Sequence, residues 1–109
     1  MIELSSTGKS GSFFYYTMDG RFTLKTIHKN EYQFLREILP LYHAHIKNNP
    51  KTLIIKFFGL HKIRSKIASN KREKVIHFVI MSNIFNTKME IHERYDLKGS
   101  TYQRMVNEM

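Results

Sequence analysis

The first quarter of the chain shows the alternation of hydrophobic and polar residues that is typical of half-buried β-strands. A short alternation over residues 1–7 predicts the end of one strand, and the aromatic run over 12–17 predicts another. Asp19-Gly20 is a strong signal for a two-residue hairpin loop, so residues 21–27 should return antiparallel to that run. The chain is therefore expected to open with a β-hairpin.

The second strand of this hairpin divides its side chains between two faces. Phe22 and Leu24 lie on one face, and Thr23 and Lys25 lie on the other. Because Lys25 and Thr23 share a face, the lysine could meet a phosphate while Thr23 lines a nucleotide pocket.

Hydrophobic residues then recur at the three- and four-residue spacing of an amphipathic helix, which predicts a helix over about residues 31–47. Asn30 is expected to cap its N-terminus, with Gln33 at the reciprocal capping-box position. Pro40 should kink or split the helix, because proline lacks the backbone N–H that a helix interior needs.

The second half of the chain returns to strand patterns. Residues 53–64 predict a strand with a bulge or close-packing point at Gly59, and 65–73 form a polar, basic hairpin loop. The most apolar strand, 74–81, is expected in the interior of the sheet. Shorter extended pieces are predicted at 84–85 and 91–95. The predicted fold class is α+β, one domain over residues 1–109 with an antiparallel sheet and one main helix.

Composition narrows the classes of partner. The 109 residues carry a net charge of +9 and no cysteine, which excludes a disulfide framework and cysteine-ligated zinc. Such a charge favours a polyanion: nucleic acid, nucleotide phosphates or an anionic membrane leaflet. No apolar run approaches the length of a membrane span, so we expect a cytoplasmic protein or one peripheral to a membrane.

The glycines near the start suggest a phosphate-binding loop. A Walker A motif is excluded, because the position five residues before Gly8 is Glu3. A kinase-like arrangement fits better: glycines in the first hairpin, Lys25 on the next strand, and Glu31 opening the helix. The apolar strand would then end in a hinge at residues 81–83, whose backbone would hydrogen-bond adenine.

Plainer interpretations stand beside these. A lysine on a half-buried strand is ordinarily a solvated charge, and the aromatic run 13–16 is more often core than a base-stacking platform. His43 and His45 are two residues apart, so they do not share a helix face and no metal site is predicted. No catalytic triad and no convincing carboxylate pair are visible.

Seven segments together resemble the phosphatidylinositol phosphate kinases. They are Gly8-Lys9-Ser10-Gly11-Ser12-Phe13-Phe14-Tyr15, Leu24-Lys25-Thr26-Ile27, Phe34-Leu35-Arg36-Glu37-Ile38-Leu39-Pro40, Asn49-Pro50-Lys51-Thr52-Leu53, Phe57-Phe58-Gly59-Leu60-His61, Phe78-Val79-Ile80-Met81-Ser82-Asn83 and Tyr95-Asp96-Leu97-Lys98-Gly99-Ser100-Thr101. The match runs in order over nearly the whole chain, and the last segment is highly specific. The chain is more similar to the 4-phosphate 5-kinase branch than to the 5-phosphate 4-kinase branch.

The resemblance implies a kinase N-terminal lobe and a lipid kinase that uses ATP and Mg²⁺ to phosphorylate a phosphoinositide headgroup, most closely the 5-hydroxyl of phosphatidylinositol 4-phosphate. It implies that a loop over the ATP phosphates is formed by Gly8, Lys9, Ser10, Gly11 and Ser12, and that Lys25 binds those phosphates. Glu31 would be the helix glutamate, and the adenine hinge would be Met81, Ser82 and Asn83. Asp96 and Lys98 would belong to a signature near the phosphates. Thr23 departs from the family, which usually has an apolar residue there.

The resemblance also implies what else the protein would need. The catalytic base, a metal-binding aspartate and the substrate-selecting loop are expected beyond residue 109, so the chain alone should bind ATP without catalysing transfer. The expected partners are ATP and phosphoinositide at the cytoplasmic face of a membrane, without nucleic acid, and the resemblance allows a homodimer of the full-length protein. Two alternatives stay open: a basic module that binds anionic membrane or nucleic acid, and a catalytically dead truncated subunit.

Overall fold

A computed structural model describes residues 3–5, 12–66 and 72–102 of the chain, with side chains for the last two ranges. These residues form five strands and one helix, which confirms the α+β class. In chain order they are β1 (Glu3–Ser5), β2 (Phe14–Tyr16), β3 (Phe22–Ile27), α1 (Lys29–Asn48), β4 (Phe57–Lys66) and β5 (Glu73–Ser82).

The five strands form one antiparallel sheet in the order β1-β2-β3-β5-β4. Strand β5 pairs with a neighbour on each side, as its apolar sequence predicts, and α1 connects β3 to β4. The register places Lys25 opposite Val79 and Thr23 opposite Met81. Because residues opposite each other share a face, these four side chains lie on the same side of the sheet.

The turn between β2 and β3 lies at the predicted place but is longer than predicted. Thr17 N–H donates to the Phe22 carbonyl at 3.1 Å, so the loop between these two residues has four members rather than two. Asp19 Oδ1 accepts hydrogen bonds from Thr17 Oγ1 at 2.6 Å and Arg21 N–H at 3.0 Å. The bond from Thr17 is the main cause that lowers the pKa of Asp19. Gly20 adopts φ +71°, a left-handed conformation that glycine reaches without strain.

Helix α1 starts earlier than predicted. His28 is the N-cap, and its backbone N–H donates to the Glu31 carboxylate at 3.4 Å. The Asn30 and Gln33 capping pair was therefore wrong, because β3 ends directly before His28 and the helix begins at once. Pro40 does not split the helix, which continues through it to Asn48. Pro40 is exposed.

Strand β4 begins at Phe57, four residues later than the pattern from Leu53 predicts. Tyr42 on α1 explains the delay, because its hydroxyl donates to the Ile55 carbonyl at 2.6 Å and accepts from Phe57 N–H at 2.9 Å. These bonds tie the segment before β4 to the helix instead of to a strand. The bulge predicted at Gly59 is confirmed by a register shift between Phe57 and Gly59.

The β4–β5 hairpin is longer than the sequence predicts. The ladder extends to the pair Lys66 and Glu73, both of which were assigned to the loop; the residues between 67 and 71 lie outside the described part. Strand β3 stops at the pair Ile27 and His77. The hairpin therefore extends beyond the rest of the sheet as a two-stranded arm, formed by 63–66 of β4 and 73–76 of β5.

Burial is concentrated on the helix side of β3 and β5. Val79 is 2% exposed and is the one buried apolar residue among those with described side chains, joined by the polar Ser12, Thr23 and His77. No residue of α1 is fully buried. The helix therefore rests on the sheet without closing the space between them.

The chain after β5 has turns but no ladder. Residues 83–102 pair with no described strand, so the extended pieces predicted at 84–85 and 91–95 do not add to the sheet. Within the ranges that the structure describes, none of the helical sequence has the length and apolar character needed to cross a bilayer.

Candidate functional site

A cavity of about 580 Å³ lies between the sheet and α1. Its wall is largely apolar but carries one lysine and one glutamate. The lining residues are Lys25, Ile27, Asn30, Glu31, Phe34, Leu35, Ile38, Ile55, Phe57, Val79 and Met81. Three residues singled out from the sequence as ATP-site candidates, Lys25, Glu31 and Met81, therefore border the same space.

The position of Lys25 follows from the ladder. It lies opposite Val79 on β5 and opposite Phe14 on β2, so it projects from the helix-facing side of the sheet beside Thr23. Its Nζ lies 5.5 Å from the centre of the Phe14 ring. Lys25 forms no salt bridge with any residue in the described ranges. The side chain is thus a half-buried cation, held by an aromatic ring and open to the cavity.

Glu31 reaches the cavity from the first turn of α1. Its carboxylate accepts the hydrogen bond from His28 N–H and caps the helix, and it forms no ion pair with Lys25 in this structure. The sequence pointed to Glu31 as a helix glutamate near the lysine. The structure gives it a capping role as well, which the choice of Asn30 as N-cap had hidden.

The predicted hinge is divided between two roles. Met81 borders the cavity. Ser82 N–H donates to the Lys56 carbonyl at 3.0 Å, and Asn83 N–H donates to the Arg21 carbonyl at 2.9 Å. Both donors are therefore engaged by the sheet, which leaves them unavailable to a ligand.

Asn83 also has a role that sequence reasoning missed. Its side-chain amide donates to the Gly20 carbonyl at 2.8 Å, and its Oδ1 accepts from Phe85 N–H at 3.0 Å. The first bond fastens the β2–β3 turn to the segment after β5. The second bond forms an Asx turn, in which the asparagine side chain accepts from the backbone N–H two residues later. The asparagine after a strand was the sequence signal for this turn.

Asp96 and Lys98 lie apart from this cavity. They form a salt bridge with each other, both residues are exposed, and neither lines the cavity that contains Lys25. The structure therefore does not bring the most specific sequence segment to the lysine.

The predicted glycine loop lies largely outside the described residues, which begin again at Ser12. Ser12 is 5% exposed, and the next residue, Phe13, is tied to β3. Phe13 N–H donates to Thr26 Oγ1 at 2.8 Å, and Thr26 N–H donates to the Phe13 carbonyl at 3.0 Å. Because Thr26 follows Lys25 directly, the end of the loop is anchored next to the lysine. The roles of Gly8, Lys9, Ser10 and Gly11 stay predictions.

His77 is buried where β3 ends. Its ring lies 4.6 Å from that of Tyr32, measured between ring centres. Burial is the main cause that lowers the pKa of His77 from its ordinary 6.5, and the charges of Lys62 and Lys29 lower it further. The neutral imidazole is therefore favoured in the folded protein, in a positively charged neighbourhood.

His45, one of the two histidines considered together in the sequence, is engaged by a neighbouring side chain. His45 Nε2 shares a hydrogen bond with Thr52 Oγ1 at 2.8 Å, which fastens the end of α1 to the segment after it. In residues 3–5, 12–66 and 72–102, no group of three histidine or acidic side chains is placed to hold a metal ion.

The register separates the basic residues of the β4–β5 hairpin. One face of β4 carries every second residue from 62 to 66, namely Lys62, Arg64 and Lys66. Lys74 lies opposite Ser65, on the other face of the hairpin. The hairpin therefore carries positive charge on both sides rather than on a single basic face.

Comparison with known proteins gives a match over the whole chain. A sequence model of the family described as Phosphatidylinositol-4-phosphate 5-Kinase matches residues 1–109. The chain is 52% identical over 108 residues to phosphatidylinositol 4-phosphate 5-kinase its3 of Schizosaccharomyces pombe. It is 47% identical over 109 residues to phosphatidylinositol 4-phosphate 5-kinase 7 of Arabidopsis thaliana, and 42% identical over 108 residues to phosphatidylinositol 4-phosphate 5-kinase of Plasmodium falciparum.

These matches cover nearly all of this chain but a small part of each relative. They include 99% to 100% of the chain, and 14%, 14% and 6% of the Schizosaccharomyces, Arabidopsis and Plasmodium proteins respectively. The structure thus corresponds to one segment of much longer proteins.

Proposed function

We propose that this chain, which belongs to the phosphatidylinositol-4-phosphate 5-kinase family, is the ATP-binding part of a lipid kinase. The whole protein would transfer the γ-phosphoryl group of ATP to the inositol ring of a phosphatidylinositol phosphate, at the 5-hydroxyl of phosphatidylinositol 4-phosphate. The observation that carries this proposal is the cavity that Lys25 and Glu31 share, in a chain matched over its whole length by the family.

Lys25 is the residue that we assign to the ATP phosphates. Lys25 Nζ lies near the Phe14 ring and is paired with no described carboxylate, so an anionic ligand would not have to displace such a partner. In the partly apolar cavity, charge interactions are stronger than in water, so a lysine there stabilises the charge of a transferring phosphoryl group.

Glu31 is assigned to orienting Lys25. The two side chains border the same cavity, and the carboxylate is held by one long hydrogen bond, 3.4 Å, from His28 N–H. That bond is weak enough to be exchanged for a lysine partner when ATP orders the cavity.

The adenine ring would lie toward Met81, which lines the cavity. Thr23 is buried opposite Met81 in the ladder and would make the region behind this wall more polar than an aliphatic side chain would. Since Ser82 N–H and Asn83 N–H are engaged by the sheet, adenine would use other backbone groups near the end of β5. This refines the hinge predicted from the sequence.

Asp96 and Lys98 would act on the phosphates once the remaining protein positions them, because in this structure they pair with each other away from the cavity. Mg²⁺ would bind together with the ATP phosphates, and carboxylates outside the described residues would complete its coordination. The described residues themselves contain no group of three side chains placed to hold a metal ion. On this proposal the 109-residue chain alone does not catalyse transfer.

The lipid substrate would be met at an anionic membrane surface on the cytoplasmic side. Basic residues near such a surface each contribute about 1 kcal/mol of attraction, which salt screens. The net charge of +9 and the alternating basic residues of β4 support this location.

The test is transfer of labelled phosphate from ATP to a panel of phosphoinositides by the full-length protein. Removing a group that stabilises transition-state charge typically costs about 10²–10³ in rate, and we expect Lys25→Ala to lose at least that. Lys47→Ala is the matched control, because it also removes a lysine but from an exposed position in the last turn of α1. This variant should retain wild-type transfer.

Two results would contradict the proposal. Transfer that is unaffected by Lys25→Ala would remove the lysine from the site. Folded wild-type protein that phosphorylates no lipid would favour the catalytically dead subunit or the basic binding module.

A further inference from the structure

Part of strand β5 lacks a neighbour on one side. On its β4 side, β5 is paired from Glu73 onward, but on the other side β3 pairs with it only as far as His77. No strand in the described residues lies against 73–76 on that side. Among the described strands, this edge of the β4–β5 arm is therefore unpaired.

The backbone groups of this edge point outward. In an antiparallel ladder, successive residues direct their N–H and C=O groups to opposite neighbours. Asn83 N–H donates to Arg21, on the β3 side, and Ser82 N–H donates to the β4 side. Counting back in steps of two from Asn83, the N–H and C=O groups of Val75 and Glu73 face the open side.

A groove of about 460 Å³ runs beside this edge, and we call it the β5-edge groove. Its lining is largely apolar and includes two lysines and no acidic residue. The lining residues are Ser12, Phe13, Thr26, Ile27, His28, Lys29, Lys74, Val75, Ile76 and His77. Val75 and Ile76 are 38% and 37% exposed, so they are partly uncovered for contact.

The surroundings of the groove are positively charged. Lys29 and Lys62 both act on the imidazole of His77, which lies at the point where β3 stops. Glu73, the acidic residue at the end of the edge, forms an exposed ion pair with Arg64, at 4.0 Å from Arg64 Nε to the carboxylate. The potential over the groove therefore favours an anionic partner.

We propose that the β5-edge groove binds an extended acidic peptide of a partner protein, which adds to the sheet as a strand beside β5. A peptide backbone offers donors and acceptors at the regular spacing of those of Glu73 and Val75, whereas lipid headgroups and nucleic-acid phosphates do not present them at strand spacing. A second copy of this chain is disfavoured, because pairing two such edges would bring the lysines that line the groove, Lys29 and Lys74, close to those of the other copy. Apolar side chains of the peptide would contact Phe13, Val75 and Ile76.

The experiment uses the full-length protein and a fluorescent peptide of about eight alternating glutamate and valine residues, the length of an ordinary strand. Fluorescence anisotropy measures its binding. A second peptide carries N-methyl groups on alternate backbone nitrogens, which keeps its charge but blocks strand pairing. Phosphatidylserine vesicles are the third probe.

Three variants locate the binding. Val75→Pro removes a backbone N–H that points away from β4. The substitution therefore removes a donor from the unpaired edge and keeps the hydrogen bonds between β5 and β4. Lys74→Glu reverses a charge on the groove rim, and Lys88→Glu makes the same change at an exposed position outside the groove.

We expect the unmethylated peptide to bind, with about tenfold weaker binding for Lys74→Glu and Val75→Pro and none for the methylated peptide. Lys88→Glu should bind as wild type. Absence of peptide binding, equal binding of the two peptides, or a loss for Lys88→Glu as large as for Lys74→Glu would overturn the proposal. Vesicle binding that falls with Val75→Pro would assign the edge to a membrane and overturn it as well.

Discussion

The sheet with α1 and the segment after β5 differ in how their candidate site residues are held. Lys25 is fixed by ladder pairing on both sides, to Phe14 and to Val79. Asp96 and Lys98 lie in a stretch without ladder bonds, exposed and paired with each other. Both regions match the same family, but only the first holds its candidate site residues by strand pairing or helix packing among the described residues.

This difference separates two kinds of site residue. A side chain on an interior strand is positioned by backbone pairing, and its direction is fixed by the register. A side chain on an unpaired segment needs further contacts before it is oriented. We therefore expect changes on the sheet to affect folding, and changes at Asp96 and Lys98 to act mainly on ligand binding in the whole protein.

The largest effect is expected where the sheet is most buried. Val79→Asn places an uncharged amide at a 2% exposed position in place of an apolar side chain, at a cost of about 2–3 kcal/mol. Val75→Asn is the matched control, because it makes the same change on the same strand and face at 38% exposure. Thermal unfolding of the full-length protein should show a large loss for Val79→Asn and a small one for Val75→Asn. Equal losses would contradict the assigned burial.

A smaller effect is expected where the two regions meet. Asn83→Ala removes the bonds to the Gly20 carbonyl and Phe85 N–H, and should destabilise by about 1–2 kcal/mol. Asn86→Ala is the control, since its side chain is exposed and makes no such bridge in the described residues. Hydrogen exchange should show faster exchange around Gly20 for Asn83→Ala. Unchanged exchange there would mean that this turn does not depend on the bridge.

The smallest effect is a pH dependence from His77. Its pKa in the folded protein is lowered, so below the ordinary value of 6.5 the unfolded state binds a proton more readily than the folded state. Stability should therefore fall as the pH drops through 6.5, and level off below the folded pKa. His77→Gln should show a weaker fall over the same range, measured as melting temperature against pH. Parallel profiles for the two proteins would exclude His77 as the source.

Much of the sheet could be predicted from the sequence because strand patterns are local. The alternation around Phe22 and Leu24 placed Lys25 and Thr23 on the opposite face, and the ladder confirms it. Gly59 marked its bulge for the same reason, since glycine in a strand signals a local irregularity.

The features that the sequence did not predict depend on distant contacts. The start of β4 is set by Tyr42, whose hydroxyl bonds Ile55 and Phe57 from another element. The N-cap falls on His28 because the ladder of β3 ends one residue earlier, which outweighs the capping preference of Asn30.

The candidate site was predictable to the same extent. Lys25, Glu31 and Met81 were expected near one another and border one cavity. The bonds that engage Ser82 and Asn83 were not predictable, because their partners, Lys56 and the β2–β3 turn, are brought close by folding alone.

The most direct test is labelling of the full-length protein with an ATP acyl phosphate, which acylates a lysine amine held near the nucleotide phosphates. If the cavity between β3 and α1 holds those phosphates, Lys25 will be acylated, and excess ATP will suppress the labelling. Lys47, exposed at the far end of α1, serves as the internal control and should show no ATP-sensitive label. ATP-sensitive labelling at Lys29 or Lys74, with none at Lys25, would place the nucleotide elsewhere and contradict the assignment of the cavity.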